Sequence, residues 1–246
     1  MYDMIKRIKD KIRQFEYRIA TSHQLQEDHL ALTQLLKMFG EQTFLPLTSW
    51  SVSPREVLHI CNDITINKRN SIIEFGAGFS TICIAQLLKI TNSSTTFITI
   101  EDHSDWAEET RKLLARLGLQ DYATIITAPI AELPSRWAKP TQTKWYDTNI
   151  ISNGISHIAN FDVVIVDGPF GGTTPFARFS AVPFLKEKLA QNYSIFLDDS
   201  GRPEEKQIAA DWLALLGGKS KDHKRYICMT NTSGFDVSPY GIKYKL

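Results

Sequence analysis

Apolar and basic residues alternate at helical spacing over the first part of the chain. Apolar positions recur every three or four residues from Met1 to Ile19, with lysine and arginine between them. This spacing predicts an amphipathic helix over residues 1 to about 40. We expect its apolar stripe to pack on its own domain or on a second copy of the chain, and the alternative for so basic a helix is peripheral contact with a membrane surface.

The remaining pattern predicts alternating strands and helices. Ser53 and Pro54 are typical of a helix start, and that helix is expected to run to about Ile64. Short apolar runs predict strands at 71–75, 96–101, 123–127, 161–167, 193–198 and 225–230, with a last pair near 237–246. Between them we expect helices at 79–90, 104–117, about 175–190 and 203–216, and a loop over 139–160. Such alternation indicates parallel, right-handed βαβ units.

Composition narrows the class of protein. The chain has 246 residues and a formal net charge of +1, which argues against a dedicated nucleic-acid binder. Cys61, Cys83 and Cys228 are scattered and predict neither a disulfide framework nor a zinc site. No apolar run has the length of a transmembrane helix and the N-terminus carries charges, so we expect a cytoplasmic protein.

The predicted strands end in acidic residues. The first runs through Glu74 into the turn Gly76-Ala77-Gly78, where glycine lets a ligand approach the backbone. Glu101 ends the second strand, where a carboxylate can accept hydrogen bonds from ribose hydroxyls. Because Thr81 occupies the third glycine position of a dinucleotide loop and Glu74 repels phosphate, the pattern favours a cationic adenosine cofactor.

The segment Glu74-Phe75-Gly76-Ala77-Gly78-Phe79-Ser80 resembles the first motif of the class I S-adenosylmethionine-dependent methyltransferases. The resemblance implies a Rossmann-like, doubly wound α/β fold: a seven-stranded, mostly parallel sheet with an antiparallel last strand over 66–246, after an N-terminal helical extension over 1–65. It implies that Asp102 or His103 lies beside the adenine and Glu101 holds the ribose. The full set implied to contact the cofactor is Glu74, Gly76, Ala77, Gly78, Ser80, Glu101, Asp102, Ala128 and Asp167.

A narrower resemblance concerns the second half of the chain. Segments 161–169 and 197–202, with Trp145 and Arg178, are similar to small-molecule and polysaccharide O-methyltransferases. Asp167-Gly168-Pro169 stands where amino-methylating enzymes carry an NPPY-type motif, so the resemblance favours transfer to a hydroxyl of a small molecule or saccharide. Arg178, Arg202 and Trp145 are the expected acceptor-binding residues, and pairing of the arginines with nearby carboxylates is the alternative.

Three carboxylates are candidates for a metal site. Asp167 and the pair Asp198-Asp199 end neighbouring predicted strands and could converge on Mg²⁺ or another divalent metal. Catechol-type O-methyltransferases, which resemble this arrangement, carry Asn where this chain has Asp199. The alternative is that Asp198 and Asp199 cap loops and pair with arginine. Asp167 is also the expected catalytic residue, because an acceptor hydroxyl must lose its proton.

Two other functions stay open at this point. A nicotinamide-dependent oxidoreductase would need a phosphate-tolerant loop and a Tyr/Lys or His proton relay, for which the sequence offers no candidate. A non-catalytic protein could keep the same fold and bind the cofactor without turnover.

Overall fold

The computed structural model describes residues 2–41, 43–232 and 234–241. Its helices are α1 (Tyr2–Leu36), α2 (Pro54–Ile66), α3 (Phe79–Ile90), α4 (Ser104–Arg116), α5 (Thr148–Gly154), α6 (Ala181–Leu185) and α7 (Pro203–Leu216). Its strands are β1 (Ser71–Phe75), β2 (Thr96–Glu101), β3 (Thr124–Thr127), β4 (Ile130–Glu132), β5 (Lys144–Tyr146), β6 (Phe161–Val166), β7 (Leu189–Asp198), β8 (Lys219–Asp222) and β9 (Tyr226–Thr230). In the described part of the chain, no helix has the length and apolar character needed to cross a bilayer.

Seven strands form one sheet in the order β3-β2-β1-β6-β7-β9-β8. The first five in this order pair in parallel, and β9 pairs antiparallel with both neighbours. The chain moves outward from β1 to β3 and then returns to β6, so strand order switches between β1 and β6. The predicted doubly wound sheet with an antiparallel last strand is therefore confirmed, and ligands bind such sheets beyond the carboxyl ends at the switch.

Both faces of the sheet are covered by helices. On one face, Ile72 and Val163 pack with α2 and α3, including the fully buried Val57 and Ile60. On the other face, Ile73 and Val164 pack with α5, α6 and α7. The central strand β6 is buried on both sides, which explains its near-continuous apolar sequence. Helix α2 shares this core with β1. The predicted boundary between an N-terminal extension and the sheet domain at 65/66 stays a prediction.

The start of α2 follows from local chemistry. The Ser53 side chain accepts a hydrogen bond from the Glu56 amide at 3.3 Å, and Pro54 is the first helical residue. A serine cap satisfies an amide that has no partner inside the helix, and proline has no amide to lose there. The predicted start of this helix is therefore confirmed.

Three sequence predictions about secondary structure are wrong. The predicted loop over 139–160 contains β5 and α5, and β4 pairs antiparallel with β5 in a small second sheet. The predicted helix over 175–190 is reduced to α6 and a short 3₁₀ turn, because β7 already begins at Leu189. The terminal pair is β8 and β9 rather than a pair near 237–246; residues 237–241 form no strand, and 242–246 lie outside the described residues.

Candidate functional site

The candidate site lies at the carboxyl edge of the sheet, at the switch between β1 and β6. A cleft of about 630 Å³ opens there. Its walls are segment 44–52, the glycine turn, the first turn of α3, one side of α4, and Asp167. The cleft therefore joins the glycine turn and Asp167, which the sequence motifs predict, with segment 44–52 and helix α4, which no motif predicts.

The glycine turn allows two loops to approach each other closely. Gly76 has φ of +98°, and a Cβ built there would lie 3.1 Å from the amide nitrogen of Gly168. Gly168 in turn donates a hydrogen bond to the carbonyl of Phe75 at 2.7 Å. A Cβ on Gly78 would meet no heavy atom within 4 Å, so this glycine leaves open space on the cleft wall. Gly76 is thus required by the fold, whereas Gly78 keeps room for a ligand.

Glu74 lies beneath the turn and is fully buried. Its two carboxylate oxygens accept hydrogen bonds from the hydroxyls of Ser80 at 2.5 Å and Thr81 at 2.6 Å. The Thr81 hydroxyl also accepts the Gly78 amide at 2.8 Å, so the three side chains hold the turn in place. Burial raises the pKa of Glu74 to about 7, against the lowering effect of the hydroxyl bonds. Glu74 therefore supports the turn from below, and its expected contact with the cofactor stays a prediction.

Glu101 connects the end of β2 to the same turn. One carboxylate oxygen accepts the Ala77 amide and the other accepts the His103 amide, both at 2.9 Å. Burial raises its pKa, and the backbone hydrogen bonds oppose that rise. The Asp102 amide also donates to this carboxylate, and of the about four lone-pair sites of a carboxylate at least one stays open to a ligand hydroxyl. The neighbouring Asp102 is half-buried, and its predicted contact with adenine stays a prediction.

The sequence analysis missed two tryptophans at the cleft. The indole nitrogen of Trp106 on α4 donates to the Ala77 carbonyl at 2.7 Å. Trp50 in the N-terminal segment also lines the cleft and contacts the ring of Phe170, with ring centroids 5.6 Å apart. Neither belongs to a spaced motif, so only the folded chain brings them to the turn. Phe170 follows Asp167 closely in sequence, and its ring lies beside that of Trp50.

The three predicted metal ligands converge. One oxygen from each of Asp167, Asp198 and Asp199 lies within 4.8 Å of the others. Asp199 adopts φ of +60°, an unusual conformation that aspartate tolerates better than most residues. Arg178 stands among them: its Nη2 lies 3.1 Å from oxygens of both Asp167 and Asp199, and its Nη1 donates to the Asp198 carbonyl at 3.1 Å.

Two more arginines border this cluster. Arg202 lies 2.9 Å from Asp199, and Arg225 lies 3.2 Å from Asp198. Arg178 and Arg202 therefore make the carboxylate pairs that were expected as the alternative to acceptor binding. Arg178 is almost fully buried, whereas the side chain of Arg202 is half-exposed. A role of Arg202 toward an acceptor stays a prediction.

Glu56 is a further acidic residue at this cluster that the sequence analysis missed. It is fully buried, and neither carboxylate oxygen has a hydrogen-bond partner among the described residues. Burial, followed by the nearby charge of Asp198, raises its pKa well above the usual range. The spacing from Ser53 to Glu56 is typical of a capping box, so the sequence alone assigns this glutamate to the start of a helix and not to the acidic cluster.

The cluster carries more acids than bases. Its carboxylates are Glu56, Asp167, Asp198, Asp199 and Glu205, and its guanidinium groups are those of Arg178, Arg202 and Arg225. With every group ionised, five negative charges would face three positive ones, and the raised pKa values of Glu56 and Asp167 reduce this excess. The raised pKa of Asp167, caused first by burial and opposed by Arg178, fits this excess. Hard carboxylate oxygens suit a divalent cation.

The predicted site residues that line the cleft are Gly76, Ala77, Gly78, Ser80 and Asp167, whereas Trp145 and Ala128 lie in the core. Trp145 is fully buried, and its ring packs against Phe75 and Phe184 in the core. Its predicted place at the substrate entrance is wrong, because β5 runs inside the fold instead of within a loop. Ala128 is also fully buried, and its amide donates to the Glu101 carbonyl. Its expected edge contact with adenine stays a prediction.

No protein-family model matches the sequence, and no curated protein matches it either. Solved structures with a similar fold include the O-methyltransferase from Bacillus cereus in complex with SAH, at 15% identity and a TM-score of 0.54, covering 83% of this chain and 90% of that one. TomG, an O-methyltransferase of tomaymycin synthesis from Streptomyces achromogenes in complex with SAM, gives 16% identity, a TM-score of 0.52, and coverage of 83% and 90%. These likenesses concern the fold, and this chain has the fold of the class I S-adenosylmethionine-dependent methyltransferases.

Proposed function

We propose that this protein is an S-adenosylmethionine-dependent methyltransferase that acts on a hydroxyl of a small molecule or saccharide. The observation that carries the proposal is the convergence, at one sheet edge, of a glycine turn, a ribose-type carboxylate at Glu101 and a carboxylate cluster around Asp167. The names of the structural neighbours, which are O-methyltransferases with SAH or SAM, support the same activity.

The residues at the turn fit this cofactor. Gly78 leaves space at the cleft wall, and Glu101 keeps a lone pair that a ribose hydroxyl can use. Bound S-adenosylmethionine would supply a methyl group on positively charged sulfur, open to in-line attack by an acceptor oxygen. The acidic edge of the sheet attracts such a cation.

The same turn argues against a nicotinamide dinucleotide. Thr81 stands at the third glycine position, and its hydroxyl bridges the Gly78 amide and the Glu74 carboxylate. In a dinucleotide-binding loop the Gly78 amide would point at the pyrophosphate, but here it donates to Thr81. The Glu74 carboxylate also places an acidic group below the loop. An oxidoreductase is therefore the weaker alternative.

Asp167 is the proposed proton acceptor for the hydroxyl. It lines the cleft, where its carboxylate can accept the proton of an acceptor hydroxyl. Arg178 lies 3.1 Å from it and fixes its orientation. A divalent metal such as Mg²⁺ is proposed to bind Asp167, Asp198 and Asp199, because the excess negative charge suits it; it would lower the pKa of an acceptor hydroxyl.

A methyl-transfer assay tests the function. The purified protein is incubated with methyl-labelled S-adenosylmethionine and a panel of phenols, catechols, hexoses and uronic acids, with Mg²⁺ or with chelator. We expect label in at least one acceptor and its loss in Asp167→Asn, while Asp121→Asn at an exposed position keeps full activity. Cofactor binding without transfer to any acceptor would favour the non-catalytic alternative.

The metal part of the proposal has a separate test. Asp199→Asn introduces the amide that catechol-type enzymes carry, so we expect activity to keep its dependence on Mg²⁺, whereas Asp199→Ala should weaken it. Full activity of Asp199→Ala in the presence of chelator would show that no metal is needed.

A further inference from the structure

We propose that the N-terminal half of α1 joins two copies of this chain in a parallel coiled coil. The sequence carries apolar residues at positions separated by four, three, four, three and four residues: Met1, Ile5, Ile8, Ile12, Phe15 and Ile19. We call these the heptad positions. This alternation is the a/d repeat of a coiled coil, which is a narrower stripe than a helix needs to pack on a globular domain.

The N-terminal half of α1 extends away from its own domain. The helix has 35 residues, which corresponds to a length of about 52 Å. Near its C-terminal end, Ala31 and Leu35 are buried, and Asp28 accepts the Arg55 amide at 3.2 Å. In contrast, every side chain that the structure describes between residues 9 and 22 is exposed. Most of the stability of a helix in a protein comes from packing of its apolar face, so the exposed Phe15 and Ile19 offer a surface for a partner.

Phe15 and Ile19, two of the heptad positions, lie on the opposite side of the helix from the domain-facing Ala31 and Leu35. Phe15 precedes Ala31 by the same number of residues as Ile19 precedes Leu35. At 3.6 residues per turn, that separation corresponds to about 160° around the helix axis. Phe15 is 64% exposed and Ile19 39% exposed, whereas Ala31 and Leu35 are buried. The domain that α1 packs on cannot cover Phe15 and Ile19 without releasing Ala31 and Leu35.

Charges beside the heptad positions favour a second copy as the partner. In this register Lys11 takes a g position and Glu16 takes the e position of the next heptad. In a parallel dimer these two positions face each other across the seam, so the pair forms twice with opposite charge. A membrane-surface helix would instead present a broad apolar face with a uniformly basic polar side. The acidic Asp10 and Glu16 interrupt such a side.

The first test measures mass in solution. For the full-length protein, light scattering coupled to size exclusion should give twice the chain mass of 27.9 kDa. Ile12→Glu and Phe15→Glu should each give the monomer, because they place a charge in the seam. Arg13→Glu, on the exposed polar side of the same helix, is the matched control and should stay dimeric. Thermal melting of the catalytic domain should not change, because Phe15 makes no core contact.

The second test addresses the parallel arrangement. Lys11→Glu should raise the dimer dissociation constant about fivefold, since it replaces two attractive pairs by repulsive ones. The double variant Lys11→Glu/Glu16→Lys should restore the wild-type constant. Failure of the double variant to restore it would overturn the parallel arrangement.

Either of two results would overturn the coiled coil itself: a monomeric wild-type protein, or a dimer that Ile12→Glu and Phe15→Glu leave intact. If the monomer also sediments with phosphatidylserine vesicles and loses this binding in Phe15→Glu, the stripe binds a membrane surface instead. The methyl-transfer assay is independent of both results, because the heptad positions lie far along α1 from the domain-facing residues.

Discussion

Glu74 is the buried acid beneath the glycine turn, and replacing it by glutamine should change how stability depends on pH. Burial raises its pKa from 4.5 to about 7. Each pKa unit corresponds to about 1.4 kcal/mol, so the shift corresponds to about 3 kcal/mol. Because the folded-state pKa is raised, the folded protein holds a proton that the unfolded chain releases. The stabilisation is complete below about pH 4.5 and is lost as the pH rises through about 7.

Urea unfolding of the wild type and of Glu74→Gln at a series of pH values measures this effect. Glutamine stays neutral and keeps an oxygen for one of the two hydroxyls, so it lacks the ionisation. The free energy of unfolding of the variant, minus that of the wild type, should rise by about 3 kcal/mol between about pH 4.5 and 8. Other titrating groups cancel in this difference.

Glu109→Gln is the matched control, because Glu109 is exposed and, among the described residues, forms its ion pair with Lys112 on the helix surface. Its difference from the wild type should vary little with pH. A Glu74→Gln difference that is equally flat would refute the buried, raised-pKa state of Glu74 and with it the account of how the turn is held.

The remaining predictions concern acid stability and the cleft. Burial lowers the pKa of His59 to about 3, so the free energy of unfolding should fall as the pH drops below about 6.5. His59→Gln should reduce that fall in acid unfolding curves, whereas a change at the exposed His157 should not. Trp106→Phe removes a hydrogen bond to the turn and should weaken S-adenosylmethionine binding about fivefold in calorimetry, with little change in melting temperature. Gly76→Ala should destabilise the fold by about 1–3 kcal/mol through its positive φ and its contact with the facing loop, whereas Gly78→Ala should keep stability and weaken cofactor binding.

Local chemistry explains which elements the sequence predicts well. Apolar runs such as β6 and the cap at Ser53 depend on neighbouring residues alone, so they can be derived without the fold. Strand β8 is the opposite case. Its four residues, Lys219–Asp222, are polar and exposed, and pairing with β9 alone makes them a strand.

The site shows the same division. Acidic strand ends predict that Asp167 and Asp199 meet, because parallel strands place their carboxyl ends at one edge. Glu56 reaches them from α2, and its capping-box spacing gives no sign of this. Trp145 was misplaced because a polar stretch predicted a loop where β5 enters the core. Contacts between distant segments, which spacing does not encode, account for these differences.

Calorimetric titration of the protein with S-adenosylmethionine and, separately, with NAD⁺ decides between a methyltransferase and an oxidoreductase. We expect saturable binding of S-adenosylmethionine at one site per chain, weakened in Glu101→Ala because the ribose hydroxyls lose their acceptor, and no binding of NAD⁺. Saturable binding of NAD⁺ without binding of S-adenosylmethionine would contradict the proposed methyltransferase.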